Sequence, residues 1–168
     1  MDKIINSTLN TLEKSKVLLQ HLTNDQLSDH SVPPYFSSIG SHIRHILDFY
    51  KCILNESACE VDLTKRERNL QVEVNCDVAL EYLESIRKSL VNINSDETRP
   101  IKVIDDLGCG QIKLDYTFGA LMSQANSHTI HHYAIINYIL EGIGISIQDS
   151  RFGFNPTTPV INRRINKV

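Results

Sequence analysis

The stretch from 117 to 141 constrains the fold of this chain most, because it joins a long apolar periodicity to two histidines in register. Its apolar residues recur at steps of three and four, which predicts an amphipathic helix that begins at a Thr117 cap and ends at Gly142. These residues are Phe118, Leu121, Met122, Ala125, Ile135, Ile136 and Ile139. The same step places His128 and His132 on this apolar stripe, one above the other.

Two interpretations of His128 and His132 are open at this point. Imidazoles at positions i and i+4 of a helix can bind one metal ion between them. A histidine on an apolar face is, on the other hand, often a hydrogen-bonded core residue. The stripe carries no carboxylate that would pair with either ring. A third ligand from another helix would therefore decide between a metal site and core packing.

The composition is that of an ordinary globular protein, and we expect one domain over residues 1–168. A net charge of -3 and the lack of a basic stripe argue against a nucleic-acid-binding surface. No apolar run reaches the roughly 20 residues of a membrane span, and the first residues show no secretory signal. The four cysteines form no Cys-x-x-Cys pair, which indicates reduced thiols. These features predict a cytoplasmic protein.

Three further helices are predicted, over residues 2–22, 38–54 and 76–93, from apolar positions at helical spacing. Ser37 and Ser38 are the N-cap candidates of the second. Residues 55–75 are polar and are predicted to form a loop with one or two helical turns at most. The charge cluster 65–68 within this loop is interpreted as a solvated face without a ligand role.

The second predicted helix carries His42 and His45 close to its apolar face. Periodicity slightly favours His42 as the more buried ring, but it does not decide which of the two reaches the helix of His128. Asp48 lies one turn beyond both Arg44 and His45. We expect Asp48 to pair with Arg44 at the surface rather than to orient an imidazole.

Residues 94–116 differ from the rest of the chain. The runs 101–104 and 111–116 alternate apolar with polar residues, and the glycine-containing segment 105–110 separates them, which predicts a β-hairpin. The tail 143–168 contains Phe152 and Phe154 and is expected to pack across the helices. Together the elements predict an all-α fold, a four-helix bundle with a small β-hairpin in the crossover before the last helix.

Two motifs on the predicted second and last helices resemble the DinB/YfiT-like family of metalloenzymes. They are Ser38-Ile-Gly-Ser-His-Ile-Arg-His-Ile46 and His128-Thr-Ile-His-His132. The tail phrase Phe152-Gly-Phe-Asn-Pro-Thr-Thr158 is similar to the ending of part of that family. The resemblance implies a four-helix bundle of DinB/YfiT type with long crossovers. It also implies one metal site, made by a histidine of the second helix and the His-x-x-x-His pair of the last.

Carried over to this sequence, the implied metal ligands are His45, His128 and His132. The motif places the ligand directly before Ile46, which favours His45 over His42. His131 points about 100° away from His132 on a helix, and we expect it beside the site or at the surface. Three neutral nitrogen ligands leave coordination positions open for water or substrate. One divalent transition metal is expected, with zinc or nickel preferred among the ions that imidazoles bind.

The resemblance implies a metal-dependent enzyme, in particular a transferase that moves a low-molecular-weight thiol such as bacillithiol or mycothiol onto an electrophile. A metal-dependent hydrolase is the second enzymatic hypothesis. No glutamate follows His128 in a His-Glu-x-x-His pattern, which argues against a peptidase. The alternatives are a non-catalytic ligand-binding protein with hydrogen-bonded core histidines and a homodimerisation module that pairs through an apolar helix face.

Overall fold

Four long helices and a small sheet make up the computed structural model, which describes residues 3–93 and 96–159. The helices are α1 (Lys3–Leu19), α2 (Asn24–Leu27), α3 (Ile39–Leu54), α4 (Cys76–Asn92) and α5 (Phe118–Gly142). The strands are β1 (Glu60–Asp62), β2 (Pro100–Asp106) and β3 (Gln111–Thr117). Helices α1 and α3 each pack against both α4 and α5, and apolar side chains of all four are buried between them.

Side-chain caps fix where the two histidine-bearing helices begin. The Ser38 hydroxyl accepts a hydrogen bond from the Ser41 amide at 3.0 Å, so Ser38 and not Ser37 caps α3. The Thr117 hydroxyl accepts from the Ala120 amide at 3.1 Å and caps α5, as the sequence predicts. The buried apolar faces of α3 and α5 set the rotation of both helices and hence the direction in which their histidines point.

The predicted fold class, an all-α four-helix bundle, is wrong. The described residues contain five helices and a three-stranded mixed sheet, so the fold is α/β. The predicted hairpin is confirmed, because β2 and β3 pair antiparallel. The sequence did not reveal β1, which pairs parallel with β2 and places Val61 opposite Val103. A strand of three residues is too short to show an alternating pattern, and β1 forms because buried Val61 covers an edge of the hairpin.

The polar stretch 55–75 contains helical turns, as predicted, and strand β1, which the sequence did not reveal. Besides β1 it contains two 3₁₀ turns, Leu63–Lys65 and Leu70–Glu73. The second turn lies directly on α3, since a Cβ atom at Gly40 would fall 2.1 Å from the Glu73 carbonyl oxygen. Glycine at position 40 therefore lets the backbone of this turn approach the histidine-bearing helix.

The described part of the tail packs on α5 through one of its two phenylalanines. Phe152 is buried, and its ring stacks on Tyr133 with a centroid distance of 4.6 Å. Phe154 is 53% exposed, so the expected packing holds for Phe152 and not for Phe154. The predicted tail also includes 160–168, which lie outside the described residues.

None of the helices in the described ranges combines the length and the apolar content that crossing a membrane requires.

Candidate metal centre

Helix α5 places His128 and His132 at the edge of its buried face. The centre of that face is occupied by Thr129 and Tyr133, each 1% exposed, and the two imidazoles beside them are half-buried. The sequence pattern put the histidines on the apolar stripe itself, because a threonine and a tyrosine do not stand out as core residues. The difference matters for function, since rings at the edge of the core lie within reach of a small molecule.

Three imidazoles from α3 and α5 converge on one point. The Nε2 atom of His128 lies 2.8 Å from Nε2 of His45 and 3.1 Å from Nε2 of His132. The ring centres of His45 and His132 are 4.7 Å apart. Each of the three offers a ligand nitrogen, and these atoms all lie within 4.8 Å of one another. We call His45, His128 and His132 the three-His group.

The spacing of the three-His group is compatible with a bound metal ion. Two ligand nitrogens that each lie about 2.0–2.1 Å from zinc, at ordinary coordination angles, are themselves about 2.9–3.4 Å apart. The separations of 2.8 and 3.1 Å are close to this range. A neutral imidazole carries only one proton on its two nitrogens, so a proton on one Nε2 atom cannot satisfy two facing Nε2 lone pairs. A cation between them would satisfy all three.

His42 lies behind His132 and does not join the three-His group. Its Nδ1 atom is 2.8 Å from Nδ1 of His132, and its Nε2 atom is 2.8 Å from the Ser37 hydroxyl. If Nε2 of His132 presents its lone pair to the group, its Nδ1–H donates to His42, and Nε2–H of His42 donates to Ser37. The contacts with His42 hold the orientation of the His132 ring, and in this protonation they would also select the tautomer, which is the usual role of the outer partner of a metal-binding histidine.

The surroundings keep these rings uncharged. Burial lowers the pKa of His42, His128 and His132, and it lowers the pKa of His45 to about 4. The positive charge of Arg66 is the next largest cause of the low pKa of His45. Neutral imidazoles have the free lone pair that metal binding needs, so no proton has to leave the site at neutral pH.

The acidic side chain nearest in sequence to His45 is bound elsewhere. Asp48 is 3% exposed and accepts hydrogen bonds from Arg44 at 2.8 Å and from the Tyr82 hydroxyl at 3.3 Å. The predicted pairing with Arg44 is confirmed, but it is buried because Tyr82 and the Glu73 turn close over it. Among the described residues, no carboxylate is hydrogen-bonded to an imidazole of the three-His group.

Two residues beside the site were not recognised in the sequence. The ring of Phe49 packs against His128 with a centroid distance of 5.5 Å, and the guanidinium carbon of Arg66 lies 5.5 Å from the Phe49 ring centre. Phe49 follows His45 by one helical turn, which the sequence does show. Arg66 gave no such signal, because only the folding of 55–75 brings it here. The expectation that cluster 65–68 is wholly solvated is therefore wrong for half-buried Arg66.

The remaining histidines and the cysteines lie apart from the three-His group. His21 and His30 are exposed, as expected, and bond to backbone carbonyls of Val17 and Phe36. His131 is exposed and its ring centre lies 6.2 Å from that of His128. All four cysteines are free thiols, and none belongs to the group.

No protein-family model matches this sequence, and no curated protein shows significant similarity to it. The resemblance to the DinB/YfiT-like family stays a prediction that depends on the motif residues.

Proposed function

We propose that this chain is a divalent-metal-dependent enzyme in which His45, His128 and His132 bind one transition metal ion, zinc or nickel. The observation that carries the proposal is the convergence of three ring nitrogens from two helices within 4.8 Å. The low pKa values of the three rings favour the same conclusion, because neutral imidazoles keep a lone pair for a metal ion.

The reaction that this site supports best is the transfer of a low-molecular-weight thiol onto an electrophile. A divalent ion bound by His45, His128 and His132 would have open coordination positions and would lower the pKa of a thiol there, so that the thiol would lose its proton to solvent and become a nucleophile. In the proposed transfer the thiol sulfur would form a bond to the electrophilic carbon, and the leaving group would depart with the electron pair of the bond that breaks. The motif resemblance supports the same class of substrate.

Hydrolysis is less well supported by the surroundings of the site. A bound metal can itself lower the pKa of water to about 7, but many metal-dependent hydrolases also use a carboxylate or another base for proton transfer during the attack. In the described ranges no carboxylate contacts the three-His group, and Asp48 is held by Arg44 and Tyr82. A bound thiol needs no such base, since coordination alone is enough to deprotonate it.

Metal analysis of protein purified without an affinity tag tests the metal site. After loading with zinc or nickel and removal of free metal, we expect the parent to retain about one ion per chain. The variants His45→Ala, His128→Ala and His132→Ala should each lose it. His131→Ala is the matched control, because it removes an exposed imidazole from the same helix, and it should keep the ion.

The same variants extend the test to the reaction. Metal-loaded parent should accelerate the conjugation of a small thiol to an electrophile such as monobromobimane, and the three alanine variants should not. Bound metal should also raise stability by about 2.7 kcal/mol when its free concentration is about 100 times the Kd. A triple alanine variant that kept stoichiometric metal would refute the ligand assignment. A melting temperature unmoved by chelator and by added metal would favour the non-catalytic ligand-binding alternative.

A further inference from the structure

We propose that Arg66 binds a carboxylate of the substrate beside the three-His group, so that the site selects small molecules carrying both a metal-binding group and a carboxylate. This inference rests on the metal-dependent function proposed above and adds a substrate class to it.

Arg66 reaches the three-His group through one aromatic ring. Its guanidinium carbon lies 5.5 Å from the centre of the Phe49 ring, and that ring lies 5.5 Å from the ring of His128. Stacking on an aromatic face holds a guanidinium in place while leaving its edge free to donate hydrogen bonds. Arg66 is thus close enough to act on a ligand of the group.

Arg66 differs from the other partly buried arginines in having no anionic partner. Three of them donate to carboxylates: Arg44 to Asp48 and Glu73, Arg87 to Glu13, and Arg99 to Glu56. No described residue forms a hydrogen bond or an ion pair with Arg66, although its guanidinium carries five N–H donors. A half-buried cation that the fold leaves unpaired is available to a ligand.

The carboxylates around Arg66 do not pair with its guanidinium. Arg66 lines a cleft of about 490 Å³ together with four acidic residues. Three of these are bound to other cations: Asp48 to Arg44, Glu60 to Lys113 and Asp62 to Lys65. The fourth, Glu67, is exposed. The cleft also includes Cys52, and because Asp48 and Cys52 follow His45 by three and seven residues, it runs along the same face of α3. The cleft therefore leaves open space beside the side chain of Arg66, where a small molecule can reach it.

Charge balance points to an anion at this position. Imidazole ligands carry no charge when they bind a metal, so three of them would leave both positive charges of a divalent ion uncompensated, and Arg66 adds a third. A thiolate on the ion would neutralise one of them, and a carboxylate on Arg66 another. The planar fork of a single guanidinium matches the two oxygens of a single carboxylate, and such bidentate pairs are the stronger class of hydrogen bond.

A pair of thiols that differ only in the carboxylate tests the inference. The parent and its variants are loaded with cobalt, and the thiolate-to-cobalt absorption band is followed during titration with mercaptoacetate or mercaptoacetamide. We expect Arg66→Gln to retain one cobalt ion, to bind mercaptoacetate about tenfold more weakly and to bind mercaptoacetamide within about twofold of the parent. Arg68→Gln, which removes an exposed neighbouring arginine, should leave both affinities unchanged.

The outcomes separate this inference from the function on which it rests. A parent that binds no cobalt overturns the metal-dependent function and this inference with it. If Arg66→Gln loads cobalt normally and its affinities for the two thiols change equally, or do not change, this inference alone is overturned. Arg66→Lys keeps the charge without the fork, and we expect about a threefold loss of mercaptoacetate affinity. If Arg66→Gln fails to load cobalt, parent-like affinity of Arg66→Lys for mercaptoacetate overturns the inference.

Discussion

Helix α5 carries two neighbouring groups of polar side chains that differ in how their hydrogen-bonding atoms are satisfied. One is the tyrosine cluster, formed by Ser15, Tyr50, Thr129 and Tyr133, and the other is the three-His group. Thr129 and Tyr133 directly follow His128 and His132 in the sequence, so the two groups occupy adjacent faces of the same turns. The hydroxyls of the tyrosine cluster have hydrogen-bond partners within the protein, whereas the three-His group presents imidazole lone pairs to a ligand.

The tyrosine cluster satisfies its buried hydroxyls within the fold. The Tyr133 hydroxyl donates to the carbonyl of Thr11 at 2.9 Å and lies 2.5 Å from the Ser15 hydroxyl. The Thr129 hydroxyl lies 2.8 Å from the Ala125 carbonyl and 3.3 Å from the Tyr50 hydroxyl. Burial raises the pKa of both tyrosines, so both hydroxyls stay protonated. This cluster contributes to stability because each partner is provided on folding.

The three-His group is half-buried, and hydrogen bonds within the protein do not satisfy all of its ring nitrogens. Its Nε2 atoms face one another at 2.8 and 3.1 Å, where one proton can serve at most one pair. Such a group contributes little to the stability of the metal-free chain and gains its stabilisation on binding. The comparison therefore separates a part of α5 that stabilises the fold from a part to which we assign the proposed metal binding.

The largest expected effect comes from removing the central side chain of the tyrosine cluster. Tyr133→Ala should lower the free energy of unfolding by about 3–5 kcal/mol, because it empties a buried site and removes the ring on which Phe152 stacks. The matched substitution on the other face, His132→Ala, should change it by less than about 1 kcal/mol in metal-free protein. Urea unfolding in the presence of a chelator measures both. Equal losses would show that the three-His group also stabilises the fold.

A smaller effect is expected on the side of the metal. His42→Ala removes the acceptor for Nδ1–H of His132 and should weaken metal binding about 10- to 100-fold, with little change in metal-free stability. His42→Gln offers a carbonyl oxygen in its place and should recover part of the affinity. Competition with a chromophoric chelator measures the constants. Unchanged affinity in His42→Ala would mean that the Ser37–His42 chain does not orient His132.

The long elements of the fold could be predicted from the sequence, and the short ones could not. The helix of 117–141 and the hairpin were predicted from the spacing of apolar residues and from cap and turn residues, which are local properties of the sequence. Strand β1 is three residues long and depends on pairing with β2, about 40 residues further along the chain. The all-α prediction failed at that point, because a polar loop gains its structure from tertiary contacts that its own sequence does not encode.

The candidate site shows the same division. His128 and His132 were visible through their spacing, but periodicity alone favoured His42 over His45, and the motif resemblance was needed to choose. In the structure, His45 belongs to the three-His group, and His42 contacts His132 from outside the group. Arg66 could not be found, since charged residues in a polar loop usually lie in solvent and only the folded chain sets it on Phe49.

The smallest expected effect isolates one hydroxyl of the tyrosine cluster. Tyr133→Phe keeps the ring and its stacking on Phe152, and removes only the hydrogen bonds to Thr11 and Ser15. The Ser15 hydroxyl can then donate to the Thr11 carbonyl one turn back on α1, so we expect a loss of only about 1 kcal/mol in urea unfolding. Metal stoichiometry should be unchanged, because the ring faces away from the three-His group. A loss of metal in Tyr133→Phe would show that the two faces of α5 are coupled, and the division between stability and binding would then fail.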